Sequence, residues 1–502
     1  MAVTDTSGDT SASVQALARD GLLREHGLIG GRWLGAEDGR TFPVLDPASE
    51  EQIAQVPRMG AAETRAAIEA AAAALPAWRS RTAADRAAVL RRWAEELRLH
   101  ADGLALLMTL EQGKPLAEAR AEVTYAAAFF DWFAEEAKRV YGDVIPSPVP
   151  GNRIVVLKQP IGVSAGITPW NFPAAMPARK AAPALAAGCT MVLKPAEQTP
   201  LSALAIAELG MRAGVPAGVF NVVTGDGEDA PPIGAELTSH PAVRKLGFTG
   251  STQVGKLLMR QCADQVKKVS LELGGNAPFI VFDDADLDKA VAGAIIAKFR
   301  NSGQVCVAAN RVLVQESVAE EFSRRLAREA ARLVVGRGTD PDAQVGPLID
   351  RPGFEKVTEH VADARAGGAE VLLGGAGHEL GGTFFAPTVI TGATQAMRMS
   401  REETFGPVAA IQTFADEAEA IERANDTPFG LSGYFYSRDI GRVWRVAEAL
   451  ETGIVGVNTG LISTEVAPFG GVKESGIGRE GSRYGIDEWI ELKYVCLGSI
   501  DG

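Results

Sequence analysis

From about residue 63 to residue 137, apolar side chains recur three and four positions apart, in ETRAAIEAAAAAL, DRAAVLRRWAEELRLH and AEVTYAAAFFDWFAEEAKRV. That spacing sets one apolar stripe on a 3.6-residue repeat and predicts a run of amphipathic helices. IPSPVPGNRIVVLKQP then breaks the pattern with prolines, a Pro-Gly-Asn turn and a β-branched run. It predicts a hairpin standing apart from the helices.

Short apolar runs follow, alternating with helix-like segments. The runs are VSAGIT (163–168), TMVLKP (190–195), GVFNVVTG (218–225), RKLGFTG (244–250) and KKVSLELGG (267–275). Between the second and third, Thr199 is placed as an N-cap, Pro200 as the first helical residue and Gly214 as the stop. A second series comprises APFIVF (277–282), RVLVQ (311–315), PVAAIQTF (407–414), GLSGYFYS (430–437) and GIVGVN (453–458). Strand–helix alternation with continuous apolar strands predicts two doubly wound α/β domains. Ligands of such sheets sit at the carboxyl ends of strands. The terminal IELKYVCLG is expected to be one more strand, pairing elsewhere.

A chain of 502 residues supports two or three cores. Its net charge of −13, without a Lys/Arg-rich run, argues against nucleic acid or an anionic membrane as partner. No apolar run reaches the length of a membrane span. The cysteines Cys189, Cys262, Cys306 and Cys496 are scattered, with no metal-ligand spacing, so free thiols and no metal are expected. Residues 1–20 lack an apolar signal core and read as a polar, frayed tail; the expected location is the cytoplasm.

Candidate chemistry centres on DADLDKAVAGAIIAKFRNSGQVC. Asp284 or Asp286 caps a helix whose apolar face is Leu287, Ala290, Val291, Ala294 and Ile295, and Asn301-Ser302-Gly303 ends it. Cys306 then falls in a loop whose backbone N–H groups are free to point at a substrate oxygen. Alone, such a cysteine is more often a small buried hydrophobe. Two other stretches change that balance. LELGG puts Glu272 at a strand end before two glycines, where a carboxylate can act as base. TPWNFP holds Asn171 between two aromatics and two prolines, a rigid amide suited to an oxyanion.

Together, ITPWNFP, LKPAEQTP, FTGST, LELGGNAPFIVFDDADLDKA, GQVC, EETFGPV and APFGGVKESGIGREG resemble the NAD(P)-dependent aldehyde dehydrogenase superfamily, in its order and from about residue 30 to the end. The resemblance implies a cofactor-binding domain at 1–142 and 162–273 and a catalytic domain at 274–486. A small β element for oligomerisation, at 143–161 and 487–502, completes a homodimer or homotetramer. It implies Cys306 as nucleophile, Asn171 and the Cys306 N–H as oxyanion donors, and Glu272 as the base that hydrolyses a thioester. It further implies a cofactor site made of Thr168, Pro169, Trp170, Lys194, Glu197, Gly225, Gly250, Ser251, Leu273, Glu403 and Phe405. Glu197 can accept from ribose hydroxyls and would repel a 2′-phosphate, which favours NAD over NADP. The stretch from Gly225 to Gly234 is longer than the family's and carries two prolines. Arg179, Arg300 and Ser463 are similar to the carboxylate-holding residues of succinate-semialdehyde dehydrogenases. Val305 stands where many relatives carry Thr, and no second cysteine follows at 308 to make a redox pair with Cys306. Glutarate semialdehyde is the alternative substrate, since a methylene is discriminated only modestly. Glu272 weighs against an acyl-CoA-forming enzyme, and Cys306, Glu272 and Asn171 together weigh against a non-catalytic protein on the same fold.

Overall fold

In the computed structural model, which describes residues 7–498, the alternating segments fold into two mainly parallel sheets. The first has eight strands. Its parallel centre runs Lys268–Glu272, Val243–Thr249, Val163–Ile167, Thr190–Lys194 and Phe220–Val222. Gly476–Ile477 closes one edge antiparallel, and Gly27–Ile29 with Arg32–Leu34 the other. Strand Val163–Ile167 has the next strand in sequence on one side and Val243–Thr249 on the other, so the order reverses beside it. A crevice opens at the carboxyl ends there, the usual ligand position in such sheets.

The second sheet runs Glu370–Leu373, Thr388–Thr391, Val408–Phe414, Ala309–Gln315, Ala277–Val281, Ser432–Tyr436 and Ile454–Val457, parallel except for its first pair. The predicted hairpin forms from Asp143–Ile145 and Arg153–Pro160, and the C-terminal strand Ile490–Leu497 joins it antiparallel. Among the described residues no helix is long and apolar enough to cross a membrane.

Three differences from the sequence reading have plain causes. Residues 7–19 form a helix rather than a frayed tail, because Leu17 is 2% exposed in the core with Val14 packed beside it. Burying one leucine contributes about 1.5–3 kcal/mol, enough to hold a short helix. Residues 1–6 lie outside the described residues. Helix Ala101–Gln112 lies within the stretch expected to be helical but is not amphipathic: GLALLMTL is apolar all round, and the helix is buried instead. Thr199 stands at the N-cap of Pro200–Arg212 but makes no side-chain cap. Glu111 does that work from another helix, accepting from Leu201 N and Ser202 N at 2.8 Å each.

Candidate active site

The turn that presents Cys306 is strained and heavily bonded. Asp286 caps helix Leu287–Phe299 by accepting from Lys289 N. Beyond it, Asn301 (φ 49°), Ser302 (φ 56°) and Gly303 (φ 74°) are all left-handed. For the first two this costs on the order of 1 kcal/mol or more each. Side chains hold the turn. Asn301 N donates to Glu118 Oε2 at 2.9 Å, and Ser302 Oγ to Gly346 O at 2.9 Å. Gln304 Oε1 accepts from Ile349 N at 2.9 Å. Gly275 meets the same loop: a Cβ there would lie 2.5 Å from Cys306 O, so only glycine fits.

Asn171 and Glu272 close around the thiol. Asn171 follows strand Val163–Ile167 and donates from Nδ2 to Gln304 O at 3.0 Å, two residues before Cys306. Glu272 ends strand Lys268–Glu272, is buried, and neither carboxylate oxygen has a hydrogen-bond partner among the described residues. Burial, with the nearby Glu480 charge, raises its carboxyl well above the usual range. Burial pushes the Cys306 thiol up to about 12. A buried carboxyl without partners, lining the same cavity as the thiol and holding protons more tightly than usual, is suited to act as a base toward water there.

Cys306 lines two cavities at once. One, of about 290 Å³, opens at the carboxyl ends of the first sheet and is also lined by Pro169, Trp170, Asn171, Gly250, Ser251, Glu272, Leu273, Glu403 and Phe405. Ser251 caps helix Thr252–Ala263, whose free N–H groups suit a phosphate. Burial pushes Glu403 up to about 7, and its Oε1 accepts from Gly275 N at 3.3 Å. Phe405 is left-handed at φ 56° and packs edge-on against Trp170 at 5.4 Å. These groups fit a dinucleotide: glycine-lined strand ends, a helix N-terminus and a carboxylate that can accept from ribose hydroxyls. Thr168, Lys194, Glu197 and Gly225 do not line this cavity. Thr168 N donates to Lys194 O, and buried Lys194 reaches Glu197 Oε2 at 3.5 Å on the neighbouring strand end. In the lengthened stretch, Asp226 and Asp229 fold back onto Arg58, ahead of helix Ala230–Ser239.

The second cavity, about 230 Å³, brings Arg179, Arg300 and Ser463 together with Cys306. The two arginines differ. Arg179 is 2% exposed and ion-paired to Glu480 at 2.8 Å, so its charge is already engaged. Arg300 has no ion-pair partner among the described residues and rests over the Phe172 ring. The sequence reading named both as carboxylate-holding residues without distinguishing them, and Glu480 is what distinguishes them.

Several residues escaped that reading. Glu480 lies 2.6 Å from Lys180, whose Nζ donates to Thr249 Oγ1 at 2.7 Å. Burial works to raise the Glu480 carboxyl, but the Lys180 and Arg179 charges bring it below its ordinary value. It sat inside a quoted motif, GIGREG, without a role. Lys356 lines the cofactor-side cavity, and Lys114, Glu118, Glu122 and Tyr125 line the other; they stand on helices or helix ends with nothing locally distinctive.

Comparison with known proteins agrees with this geometry. The model of the aldehyde dehydrogenase family matches residues 33–495. A succinate-semialdehyde dehydrogenase [NADP(+)] of Escherichia coli is 61% identical over 477 residues, covering 95% of this chain and 98% of that protein. A glutarate-semialdehyde dehydrogenase of Pseudomonas aeruginosa is 60% identical over 479 residues, covering 95% and 99%. The crystal structure of succinate-semialdehyde dehydrogenase from Burkholderia pseudomallei superposes with a TM-score of 0.94 at 60% identity, covering 95% of this chain and 98% of that one.

Proposed function

Because this chain belongs to the aldehyde dehydrogenase family, we propose that it oxidises succinate semialdehyde to succinate with NAD(P). The observation that carries this reading is the position of Cys306 between a dinucleotide-shaped cavity and a cavity holding Arg300, Arg179 and Ser463. Cys306 attacks the aldehyde carbon and gives up its thiol proton to bulk solvent, so that the carbonyl oxygen becomes an oxyanion. Asn171 Nδ2 and the Cys306 N–H hold the resulting oxyanion. The bound nicotinamide supplies the hydride acceptor. Glu272 takes a proton from the water that hydrolyses the thioester, and its raised affinity for protons makes it a stronger base than a free glutamate. Pro169, Trp170, Ser251, Leu273, Glu403 and Phe405 would hold the cofactor.

Arg300 is the main anchor for the distal carboxylate, helped by Ser463 and by the free edge of Arg179. The test is initial rates with succinate semialdehyde, glutarate semialdehyde and an uncharged aldehyde. Arg300→Ala raises KM for succinate semialdehyde by roughly 30- to 100-fold, matching a lost charge-assisted hydrogen bond of about 2–3 kcal/mol. The uncharged aldehyde changes little; equal losses on both would argue against a carboxylate anchor. Glutarate semialdehyde is the second reading, favoured by the Pseudomonas aeruginosa relative. A ratio of kcat/KM above one for the longer substrate would select it.

For the cofactor, Glu197 favours NAD. Lys194 is held by Glu197 and by Pro195 O at 3.1 Å, and Arg58 by Asp226, Glu228 and Asp229, so neither cation is free for a 2′-phosphate. The E. coli relative is named for NADP(+), which makes the measurement decisive. A higher kcat/KM with NADP overturns this charge argument. We place the enzyme in the cytoplasm as a homo-oligomer. Val144 (79% exposed) and Leu492 (68%) lie on the three-stranded sheet and suit burial by a second copy; light scattering of the native protein and of Leu492→Asp tests this.

A further inference from the structure

Lys114 lies outside every motif that suggested the reaction, yet its side chain ends on the backbone carbonyl of Asn171. It is 1% exposed. Its Nζ is bonded to the Glu122 carboxylate, donates to Asn171 O at 2.8 Å, and stands 4.2 Å over the Phe172 ring. Asn301 Nδ2 donates to the same Asn171 oxygen at 3.0 Å. A carbonyl oxygen has two lone pairs, and here both are taken. The peptide plane after Asn171 is therefore fixed, and with it the direction in which the Asn171 side chain leaves the backbone.

Glu122 holds the other end of the same loop. Its second oxygen accepts from Ala174 N at 2.9 Å and Ala175 N at 3.1 Å, at the start of helix Ala175–Ala187. Lys114 is itself anchored to the nucleophile's support. A Cβ on Gly346 would lie 2.1 Å from Gly113 O, and Gly346 O is the acceptor of Ser302 Oγ. One backbone junction thus carries both the lysine and the strained turn before Cys306. Removing two charges from water costs several kcal/mol per ion before pairing. Neutral groups could tie down a loop without that cost. Paired to Glu122, and with burial lowering its affinity for protons, Lys114 acts here through geometry: it fixes the Asn171 carbonyl.

We propose that Lys114, held by Glu122, is the positioning residue that sets the Asn171 amide for the oxyanion. The proposal rests on the reading of Asn171 as oxyanion donor.

The test compares the full-length enzyme with Lys114→Met, Asn171→Ala and the double variant. The readouts are the first-turnover rate of NADH formation and alkylation of Cys306 by iodoacetamide, a displacement that develops no oxyanion. Lys114→Met is expected to slow the first turnover about 30- to 300-fold, the range of a lost or misaimed oxyanion donor. KM for the semialdehyde should stay within about threefold and alkylation within about twofold, since neither needs the oxyanion. In the Asn171→Ala background, Lys114→Met should add almost nothing, because coupled residues are not additive. Equal losses in both backgrounds, or alkylation slowing in step with turnover, would overturn the proposal. If Asn171→Ala keeps the wild-type rate, the oxyanion reading itself falls and the proposal with it. A normal rate for Lys114→Met beside an impaired Asn171→Ala sinks the proposal alone. Should Lys114→Met fail to fold because Glu122 is left charged, Lys114→Met/Glu122→Gln removes that charge, keeps the acceptor for Ala174 and Ala175, and is judged by the same outcomes.

Discussion

The two cavities that meet at Cys306 are built in opposite ways. The cofactor-side cavity is made of strand ends and the residues just after them: Pro169 and Trp170, Gly250 and Ser251, Leu273 and Gly274. The other is made largely of helix and turn side chains, with Lys114, Glu118, Glu122, Arg179 and Arg300 among them. Their glutamates show what the difference means. Among the described residues Glu272 has no partner for either oxygen, whereas Glu122 is bonded to Lys114, Ala174 N and Ala175 N. Both are buried. A buried carboxylate without partners keeps its affinity for protons and can do chemistry; one that is fully bonded is a strut.

The strongest way to break that comparison is to remove the unpaired carboxylate. Glu272→Gln should leave the first turnover nearly intact and slow the steady state by about 10²- to 10⁴-fold, the range of a general base. Stopped-flow NADH formation would show a burst of one equivalent per site. In the wild-type enzyme, steady-state turnover should rise with pH through the neutral range and above, because Glu272 must lose a proton that it holds more tightly than a free glutamate. A wild-type rate that falls as pH rises there would contradict this assignment.

The arginines sharpen the contrast within one cavity. Arg179→Met leaves Glu480 buried with only Lys180 to pair, so it should cost about 3–5 kcal/mol of stability, the range for a broken buried ion pair. Arg300→Met breaks no ion pair among the described residues and should cost about 1 kcal/mol or less, while losing the semialdehyde preference. Urea denaturation of both variants measures the difference. Similar midpoints would mean that Glu480 does not engage Arg179.

How much of this was legible in the sequence follows from the same contrast. Strand-end loops are contiguous, so ITPWNFP, FTGST, LELGG and EETFGP spell out most of the cofactor-side wall, and Cys306, Glu272 and Asn171 with it. Continuous apolar runs alternating with helix-like segments predicted both parallel sheets. The helix-built wall draws one side chain from each of several distant turns, and no local pattern marks Lys114 or Glu122. Glu480 is the clearest case: its motif was seen, but only packing brings it to Arg179 and Lys180. Edge strand Glu370–Leu373 was missed because alternate residues face outward and leave no long apolar run; Thr388–Thr391 was missed although Ile454–Val457, equally short, was found. Arg179 and Arg300 both line the cavity, but among the described residues only Arg179 of the two is ion-paired; sequence shows a charge but not its partner.

A milder perturbation moves the Glu272 carboxyl without touching it. Glu480→Gln removes the negative charge that raises Glu272 and frees the positive charges of Lys180 and Arg179 beside it. Both changes favour the ionised form, so Glu272 should titrate lower. The pH profile of steady-state turnover should shift to the acid side, and turnover at high pH should fall because the base is weaker. An unmoved profile would mean that Glu480 does not act on Glu272 electrostatically.

The smallest expected effect lies on the cofactor side, where a strut has been built into a wall otherwise made of backbone. His360, on helix Arg351–Ala366, is buried; its Nδ1 lies 3.2 Å from Thr404 Oγ1 and its Nε2 3.2 Å from Glu402 Oε2. These partners flank Glu403, and Phe405 just beyond is held left-handed. Burial lowers the His360 ring's affinity for protons, so the ring stays neutral at physiological pH and bridges the two residues as donor and acceptor. His360→Leu removes both bonds while roughly keeping the volume. The loop can then relax from its strained φ, and Glu403 loses its fixed aim. We expect KM for the cofactor to rise about three- to tenfold, about 1 kcal/mol for hydrogen bonds lost one step from the ligand. KM for the semialdehyde should not change, since the other cavity does not include this loop. His360→Asn, which keeps one donor and one acceptor, should recover part of the loss. A rise in both KM values together would show that the two walls are mechanically one, and the contrast drawn between them would fail.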